Sequence, residues 1–229
     1  MQIFLLLALL LSALPTRADD CGFEAYDRGD YAAALKPLNA CALQGSAVAQ
    51  FGLGYMYDVG KGVPQDFKAA ARWWTLSAKQ GNALAQYNLG NMYRKGDGVL
   101  QDFKAAARWW TLAAEQGDAD AQYNLGVMYA DGRGVPQDFK EAVRLYTLAA
   151  EQGLALAQGN LGAMYATGQG VLQDYVLAHM WRNLALSNGE NETSVKARDA
   201  LASAMTPAQI AEAQAMAKRC LASGYKDCR

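Results

Sequence analysis

One stretch of this sequence, Ala85 to Gly117, recurs three more times along the chain. It has the sequence AQYNLGNMYRKGDGVLQDFKAAARWWTLAAEQG, and its copies begin at Ala49, Ala121 and Ala157, at a constant interval of 36 residues. A fixed period in this range is typical of chains built from stacked copies of one supersecondary unit. The repeat therefore constrains the fold more tightly than length or composition does.

The first half of each unit has the residue spacing of a helix. Leu89, Met92 and Tyr93 place apolar side chains on one face at helical intervals. Gly90 lies among them, although glycine disfavours a helix by about 1 kcal/mol relative to alanine. We expect this glycine, which recurs in every copy, to allow two paired helices to approach closely.

The second half of each unit begins after a glycine-rich loop. Asp102 is expected to cap its helix, because a carboxylate there accepts hydrogen bonds from the first main-chain amides. Apolar residues then lie on more than one face: Phe103, Ala106, Trp109, Trp110, Ala113 and Ala114. Gly117 is expected to end the helix. The sequence thus predicts an all-α fold, an α/α superhelical solenoid of helix–turn–helix repeats with helical caps.

These motifs resemble a known family of repeats. The pattern AQ-x-x-LG-x-MY, followed by G-x-GV-x-QD and an aromatic helix that ends at glycine, resembles the Sel-one-like repeat (SLR) family, a relative of the tetratricopeptide repeats. Four repeats are assigned to residues 47–82, 83–118, 119–154 and 155–190. The resemblance implies a curved scaffold whose concave face is lined by the first helices, and it implies no reaction.

Helical segments are also predicted on both sides of the repeats. Residues 19–46 have the pattern of a partial repeat without the glycine loop, in which Asp30 caps the second helix. Thr206 and Pro207 open a later helix with a capping-box pattern and proline at the first position. We therefore assign residues 191–229 to a C-terminal helical cap.

Residues 1–18 have the pattern of a secretory signal peptide. An apolar run from Ile3 to Leu14 is followed by small residues that favour cleavage after Ala18. The run is shorter than the about 20 residues of a membrane-spanning helix. A weakly charged amino terminus leaves an uncleaved anchor as the alternative. We expect a periplasmic or secreted protein with no stable membrane insertion after cleavage.

The four cysteines, Cys21, Cys41, Cys220 and Cys228, flank the repeats and avoid them. Disulfides are favoured over metal ligation, since the chain has no C-x-x-C pair and only one histidine. Four cysteines allow three connectivities. The local pairing, Cys21–Cys41 with Cys220–Cys228, needs the least rearrangement of the chain.

Few side chains in this sequence are suited to catalysis. His179 is the only histidine, and the other repeats have alanine or valine at its position, so we expect it to pack. Ser223 and Lys226 match the S-x-x-K motif of penicillin-recognising enzymes, but the S-D-N and K-T-G partners are missing. We predict no catalytic residue, no cofactor and no metal site, with a β-lactamase-like or cell-wall-acting hydrolase as the alternative.

The most informative candidates lie on the face of the first helices that points away from the second helices. If the family architecture holds, the residues that would contact a partner there are Phe51, Tyr55, Tyr87, Asn88, Asn91, Arg94, Tyr123, Asn124, Val127 and Asn160. Asn88, Asn124 and Asn160 recur at one position. Each amide could hold a main-chain group of a bound peptide, or it could brace the helix pair instead.

The predicted function is a scaffold that binds a protein or peptide partner through this face. A formal net charge of −1 and the lack of any basic run argue against a nucleic-acid partner. The tryptophan pairs at Trp73 and Trp109 leave a peptidoglycan- or glycan-binding module as a further alternative, although their helical spacing favours packing.

Overall fold

The computed structural model describes residues 21–189 and 192–228, so the predicted signal peptide at 1–18 lies outside it. Every regular element in the described part is a helix, which confirms the all-α fold class. The helices are α1 (Phe23–Asp27), α2 (Tyr31–Leu43), α3 (Ala47–Val59), α4 (Phe67–Lys79), α5 (Ala83–Lys95), α6 (Phe103–Glu115), α7 (Ala119–Asp131), α8 (Phe139–Ala150), α9 (Ala155–Thr167), α10 (Tyr175–Ser187), α11 (Glu192–Ala202) and α12 (Pro207–Ala222). None of these described helices has both the length and the hydrophobicity needed to span a bilayer.

The chain divides into two compact units, the first ending at Ser77 and the second beginning at Ala78. The first unit holds α1 to α3 and most of α4, and its core is formed by residues such as Leu38, Leu53 and Met56. The second unit holds α5 to α12 around two clusters of buried alanine, leucine, methionine and aromatic side chains.

The Q-D pair of each repeat fastens the glycine loop between two helices. The Gln101 amide donates to the main-chain oxygen of Arg94 at 2.8 Å, at the end of α5. Asp102 then accepts a hydrogen bond from the Ala105 amide at 2.9 Å, which confirms its predicted role as the cap of α6. The glutamine contact recurs at Gln65, Gln137 and Gln173. The motif thus sets the angle of the hairpin through two polar side chains.

The A-Q pair links successive repeats. In the second unit the buried Gln122 amide donates to the main-chain oxygen of Ala114 at 3.2 Å, at the end of the preceding α6. The Gln122 side-chain oxygen in turn accepts from the Gln152 amide at 2.8 Å. Gln86 and Gln158 make the same two kinds of contact in their repeats. Because a buried amide is costly when unpaired, this arrangement specifies the register of stacking.

The glycine of each first helix allows the close approach that the sequence predicts. A Cβ atom added to Gly126 in α7 would lie 2.8 Å from the Tyr146 ring in α8. At Gly90 the added atom would overlap the Trp110 ring in the same way. The aromatic side chains of the second helices therefore lie directly on the backbones of the first helices.

Both ends of the described chain carry a disulfide. Cys21 is bonded to Cys41, and Cys220 is bonded to Cys228, which is the local pairing. At the C-terminal end, α12 starts with the predicted capping box at Thr206. Together α11 and α12 pack on α10, so that Leu184 is fully buried.

Candidate functional site

In the first unit, the predicted partner-binding residues lie among aromatic side chains. The Phe51 ring stacks on the Trp74 ring with centroids 6.5 Å apart. The Tyr55 ring meets that of Tyr26 at 6.2 Å, and the Lys61 ammonium lies 5.6 Å from the Tyr55 ring centroid. Half-buried aromatic rings therefore form much of the first-helix face of this unit.

In the second unit, four of the predicted residues line one pocket of about 230 Å³. They are Arg94 from α5 and Tyr123, Asn124 and Val127 from α7. Because these residues are separated by about one repeat, only the packing of α5 against its neighbours brings them together. We call this pocket, with its lining residues, the first-helix pocket.

The first-helix pocket also contains residues that sequence reasoning did not select. Five further residues complete its wall: Phe103 and Trp110 of α6, Met128 and Asp131 of α7, and Arg133. The Arg133 guanidinium lies over the Phe103 ring, 4.4 Å from its centroid, a distance typical of a cation–π contact. The pocket therefore combines aromatic surface, an amide and charges of both signs.

A spacing that recurs in the sequence could have identified Arg133, the basic residue of this wall. The same arrangement occurs at Lys61 in the first unit. The Lys61 ammonium lies 5.1 Å from the Tyr31 ring centroid in the first unit. Lys61 and Arg133 both occupy the middle of a G-x-G loop, and each follows its aromatic partner by 30 residues. A basic residue in that loop, paired with an aromatic residue at the start of the preceding second helix, is the pattern to search for.

The three recurring asparagines differ in their surroundings. Asn124 lines the first-helix pocket, whereas the Asn160 side chain lies close enough to the Tyr146 hydroxyl to lower its pKa. Burial raises the pKa of Tyr146 to about 12, and the Asn160 side chain opposes that rise. Asn88, like Asn91, is half-buried on α5 and is not part of the pocket wall. One sequence position therefore supports two different roles.

Tyr87 and Tyr123 also contribute differently. The main-chain oxygen of Tyr87 accepts a hydrogen bond from the Trp110 indole at 3.2 Å, while its ring packs against the adjoining core. The Tyr123 ring lies 5.9 Å from that of Tyr146 and reaches the pocket. Only Tyr123 of the two is placed to contact a ligand in this pocket.

The single histidine is a packing residue, as expected. His179 is 2% exposed, and its Nδ1 atom lies 3.0 Å from the Asn183 amide nitrogen. Burial, followed by the charge of Arg198, holds the pKa of His179 below its ordinary value. A buried, neutral imidazole paired with an amide stabilises α10 internally.

The S-x-x-K match at the C-terminal end has a local structural explanation. The Ser223 hydroxyl donates to the main-chain oxygen of Cys220 at 2.8 Å and accepts from the amides of Lys226 and Asp227. The hydroxyl therefore closes the end of α12 and holds the turn that leads to Cys228. Its hydrogen bonds are used in the turn.

One tryptophan of each pair is buried in the core, and the other is half-buried. Trp74 is 3% exposed and Trp110 is 1% exposed, and each indole donates to a main-chain oxygen of its partner helix at 3.2 Å. A sugar platform needs an exposed ring face. Trp74 and Trp110 have none, while Trp73 and Trp109 are half-buried.

Comparison with known proteins agrees with this architecture. The Sel1 repeat family matches at residues 47–82, 83–118, 119–154 and 155–190. No curated protein is significantly similar to the chain. A solved Sel1 repeat protein from Oxalobacter formigenes is 32% identical with a TM-score of 0.70, over 89% of this chain and 76% of that protein.

A second solved structure is that of a protective antigen present in uropathogenic Escherichia coli strains, which displays an SLR fold. It is 42% identical with a TM-score of 0.66, over 68% of this chain. The match covers 33% of the Escherichia coli protein, so the present chain spans about a third of that protein's length. Sel1 repeat proteins are generally non-enzymatic scaffolds that bind protein partners. With four family repeats over more than half of its length, this chain belongs to the Sel1 repeat family.

Proposed function

We propose that this protein is an exported scaffold that binds an extended segment of a protein partner on its first-helix face. The observation that carries the proposal is the first-helix pocket, where Arg94, Tyr123, Asn124 and Val127 lie together. These residues are predicted from the sequence register and from the architecture that the family resemblance implies, and their meeting in one cavity supports the choice of face.

The chemistry of the first-helix pocket suits a peptide. The Asn124 amide has both donors and an acceptor, so it can hydrogen-bond the N–H and C=O groups of an extended main chain. Phe103 and Tyr123 offer apolar area for a side chain of the bound segment. Arg94 and Asp131 at the wall supply opposite charges that can fix the direction of the segment.

Export is supported by the cysteine chemistry. Both disulfides join described residues, and no described cysteine is free. Disulfides persist in oxidising compartments and are rare where thiols are kept reduced. Together with the sequence of residues 1–18, they favour the periplasm or the outside of the cell as the site of action.

The test begins with the native partner. Crosslinking with the oxidised mature chain in periplasmic extract identifies candidates, and each one is then titrated against purified protein. The proposed segment continues from Asn124 in the pocket to Asn88, which holds the same register position on α5. Replacing both by alanine should weaken binding by roughly 2 kcal/mol, about 30-fold, because each amide loses up to two hydrogen bonds.

Asn160→Ala is the matched control for that titration. It removes the same amide from the same register position, but at Tyr146 rather than in the pocket. We expect it to leave affinity within about two-fold of the wild type, because no hydrogen bond to the segment is lost. Unchanged affinity in the Asn88/Asn124 double variant would contradict binding of the partner at this face.

A further inference from the structure

A larger pocket of about 470 Å³ lies elsewhere in the second unit, between the start of α10 and helix α12. Its apolar wall includes Leu177 and Trp181 of α10 and Met216 of α12. Two carboxylates, Asp174 and Glu212, stand at the same cavity. We call this cavity the cap pocket. Its volume falls in the range of ligand-binding clefts.

The fourth repeat departs from its own pattern at the cap pocket. The other three repeats have lysine two residues after the capping aspartate, at Lys68, Lys104 and Lys140. In the fourth repeat this lysine is replaced by Val176, which lines the cavity. The aspartate is kept as Asp174, so the fourth repeat retains the acidic residue and lacks the basic residue found in the other three.

A second basic position on the same helix has been lost as well. Arg72, Arg108 and Arg144 are replaced by Met180, which is fully buried. That loss is explained by helix α12, which packs on α10 and covers the site. The loss at Val176 is not explained by burial, because Val176 is only half-buried and faces the cavity.

The charged residues that line the cap pocket are therefore all negative. Among the described residues that line it, two are acidic and none is basic. Asp174 accepts a hydrogen bond from the Leu177 amide at 2.9 Å through one oxygen. A carboxylate offers about four acceptor sites in all, so capping the helix does not use up its capacity. Glu212 is exposed on α12 and can turn toward the cavity.

We propose that the cap pocket binds a lysine or arginine side chain of a peptide or protein partner, together with an adjacent apolar residue. The cationic head lies against Asp174 and Glu212, in the place of the base that this repeat lacks. Its aliphatic stem and the apolar neighbour pack on Leu177, Trp181 and Met216, as long basic side chains commonly do. The site shares no residue with the first-helix pocket and does not depend on the function proposed for it.

The probe is an acetylated, amidated hexapeptide of alternating lysine and leucine, titrated into the oxidised mature chain by calorimetry. The matched peptide has norleucine in place of lysine, which keeps the stem and removes the charge. We expect the lysine peptide to bind and the norleucine peptide to bind at least about ten-fold more weakly. Binding should also weaken as sodium chloride rises from about 0.05 to 0.5 M, because salt screens exposed charges.

Two sets of variants locate the site. Asp174→Asn with Glu212→Gln removes both charges, and asparagine remains a good helix cap. This double variant should weaken binding of the lysine peptide about ten-fold. Val176→Lys restores the residue found in the other repeats and supplies a built-in cation, so it should abolish binding. Asp138→Asn, at the equivalent cap in the preceding repeat and outside the cap pocket, should leave affinity unchanged.

Three results would overturn the proposal. The first is equal affinity for the lysine and norleucine peptides, and the second is wild-type affinity in the Asp174/Glu212 double variant. The third concerns Arg229, which follows Cys228 and lies outside the described residues. If a variant that ends at Cys228 binds the peptide more tightly, the chain itself supplies the cation and no external partner is needed.

Discussion

The indole N–H of Trp110 donates a hydrogen bond to the main-chain oxygen of Tyr87 at a distance of 3.2 Å. This bond holds the ring across Gly90, where an added Cβ atom would overlap Cδ1 and Nε1 of the indole. The ring is 1% exposed, so it has no space into which to move. Glycine and tryptophan therefore act as one packing unit that joins α5 to α6.

Gly90→Ala should destabilise the protein although alanine is the better helix former. Overpacking a filled core costs about 1–3 kcal/mol, and the gain in helix propensity offsets about 1 kcal/mol of it. We expect the free energy of unfolding in urea to fall by up to about 2 kcal/mol.

The control is Gly52→Ala, in helix α3. The nearest atom to an added Cβ there is Leu38 Cδ2 at 3.4 Å, an ordinary contact. This change should be neutral or stabilising by up to about 1 kcal/mol. If both alanine variants behave alike, close packing against tryptophan does not explain the glycine.

Asn160→Ala should lower stability, whereas Asn124→Ala should not. The Asn160 amide interacts with the hydroxyl of the buried Tyr146, and losing that interaction should cost up to about 1 kcal/mol. Asn124 lies at an open pocket, where water can replace any lost contact. Thermal melts of the two variants provide the measurement, and equal melting temperatures would contradict the difference in role.

Replacing each cysteine pair by serine should destabilise the chain unequally. The Cys21–Cys41 bond spans 20 residues and the Cys220–Cys228 bond spans 8. On the loop-entropy model, the losses are about 3.3 and about 2.5 kcal/mol. Urea unfolding of the two double variants tests this order. Non-reducing peptide mapping that joined Cys21 to Cys228 would contradict the pairing itself.

Because of His179, the protein should be less stable in mild acid than at neutral pH. Its pKa in the folded state lies below the ordinary value of 6.5, mainly because of burial, so unfolding takes up a proton. The stability it contributes is complete above about pH 6.5 and declines as the pH falls toward the folded-state pKa. Arg198 lowers that pKa further and Asp199 raises it.

His179→Gln provides the measurement, because glutamine keeps an amide near Asn183 and does not titrate. The free energy of unfolding is compared at about pH 7.5, 6.0 and 5.0 for both proteins. The wild type should lose more stability than the variant across this range. If the free energies of unfolding of the two proteins change in parallel with pH, His179 does not contribute to the pH dependence of stability.

The native protein should begin at Asp19. The signal-peptide pattern of residues 1–18 places the cut after Ala18, and the resulting chain would enter an oxidising compartment. Intact-mass analysis of protein isolated from the periplasm should show loss of 18 residues and of four thiol hydrogens. Recovery of Met1 on a membrane-bound chain would favour the uncleaved anchor instead.

Much of the local structure follows from the sequence because its causes are local. Asp102 caps a helix through amides within three residues of itself, and the capping box at Thr206 is equally short in range. Within the second unit, the constant period of 36 residues places each hairpin against a neighbour of similar sequence. The repeat boundaries, the caps and the local pairing of cysteines could be predicted for this reason.

The tertiary structure alone decided which side chains meet at a site. Asn124 and Asn160 occupy the same register position, yet Trp110 precedes one and Tyr146 the other by 14 residues. The Trp110 N–H donates to the Tyr87 main chain, and Asn124 lines the pocket, whereas Asn160 interacts with the Tyr146 hydroxyl and lowers its pKa. Such contacts depend on the reach of one side chain across a helix pair, which a periodic pattern does not encode. The sequence by itself determined the fold and its repeat, and packing between neighbouring helices decided which side chains line the candidate pocket.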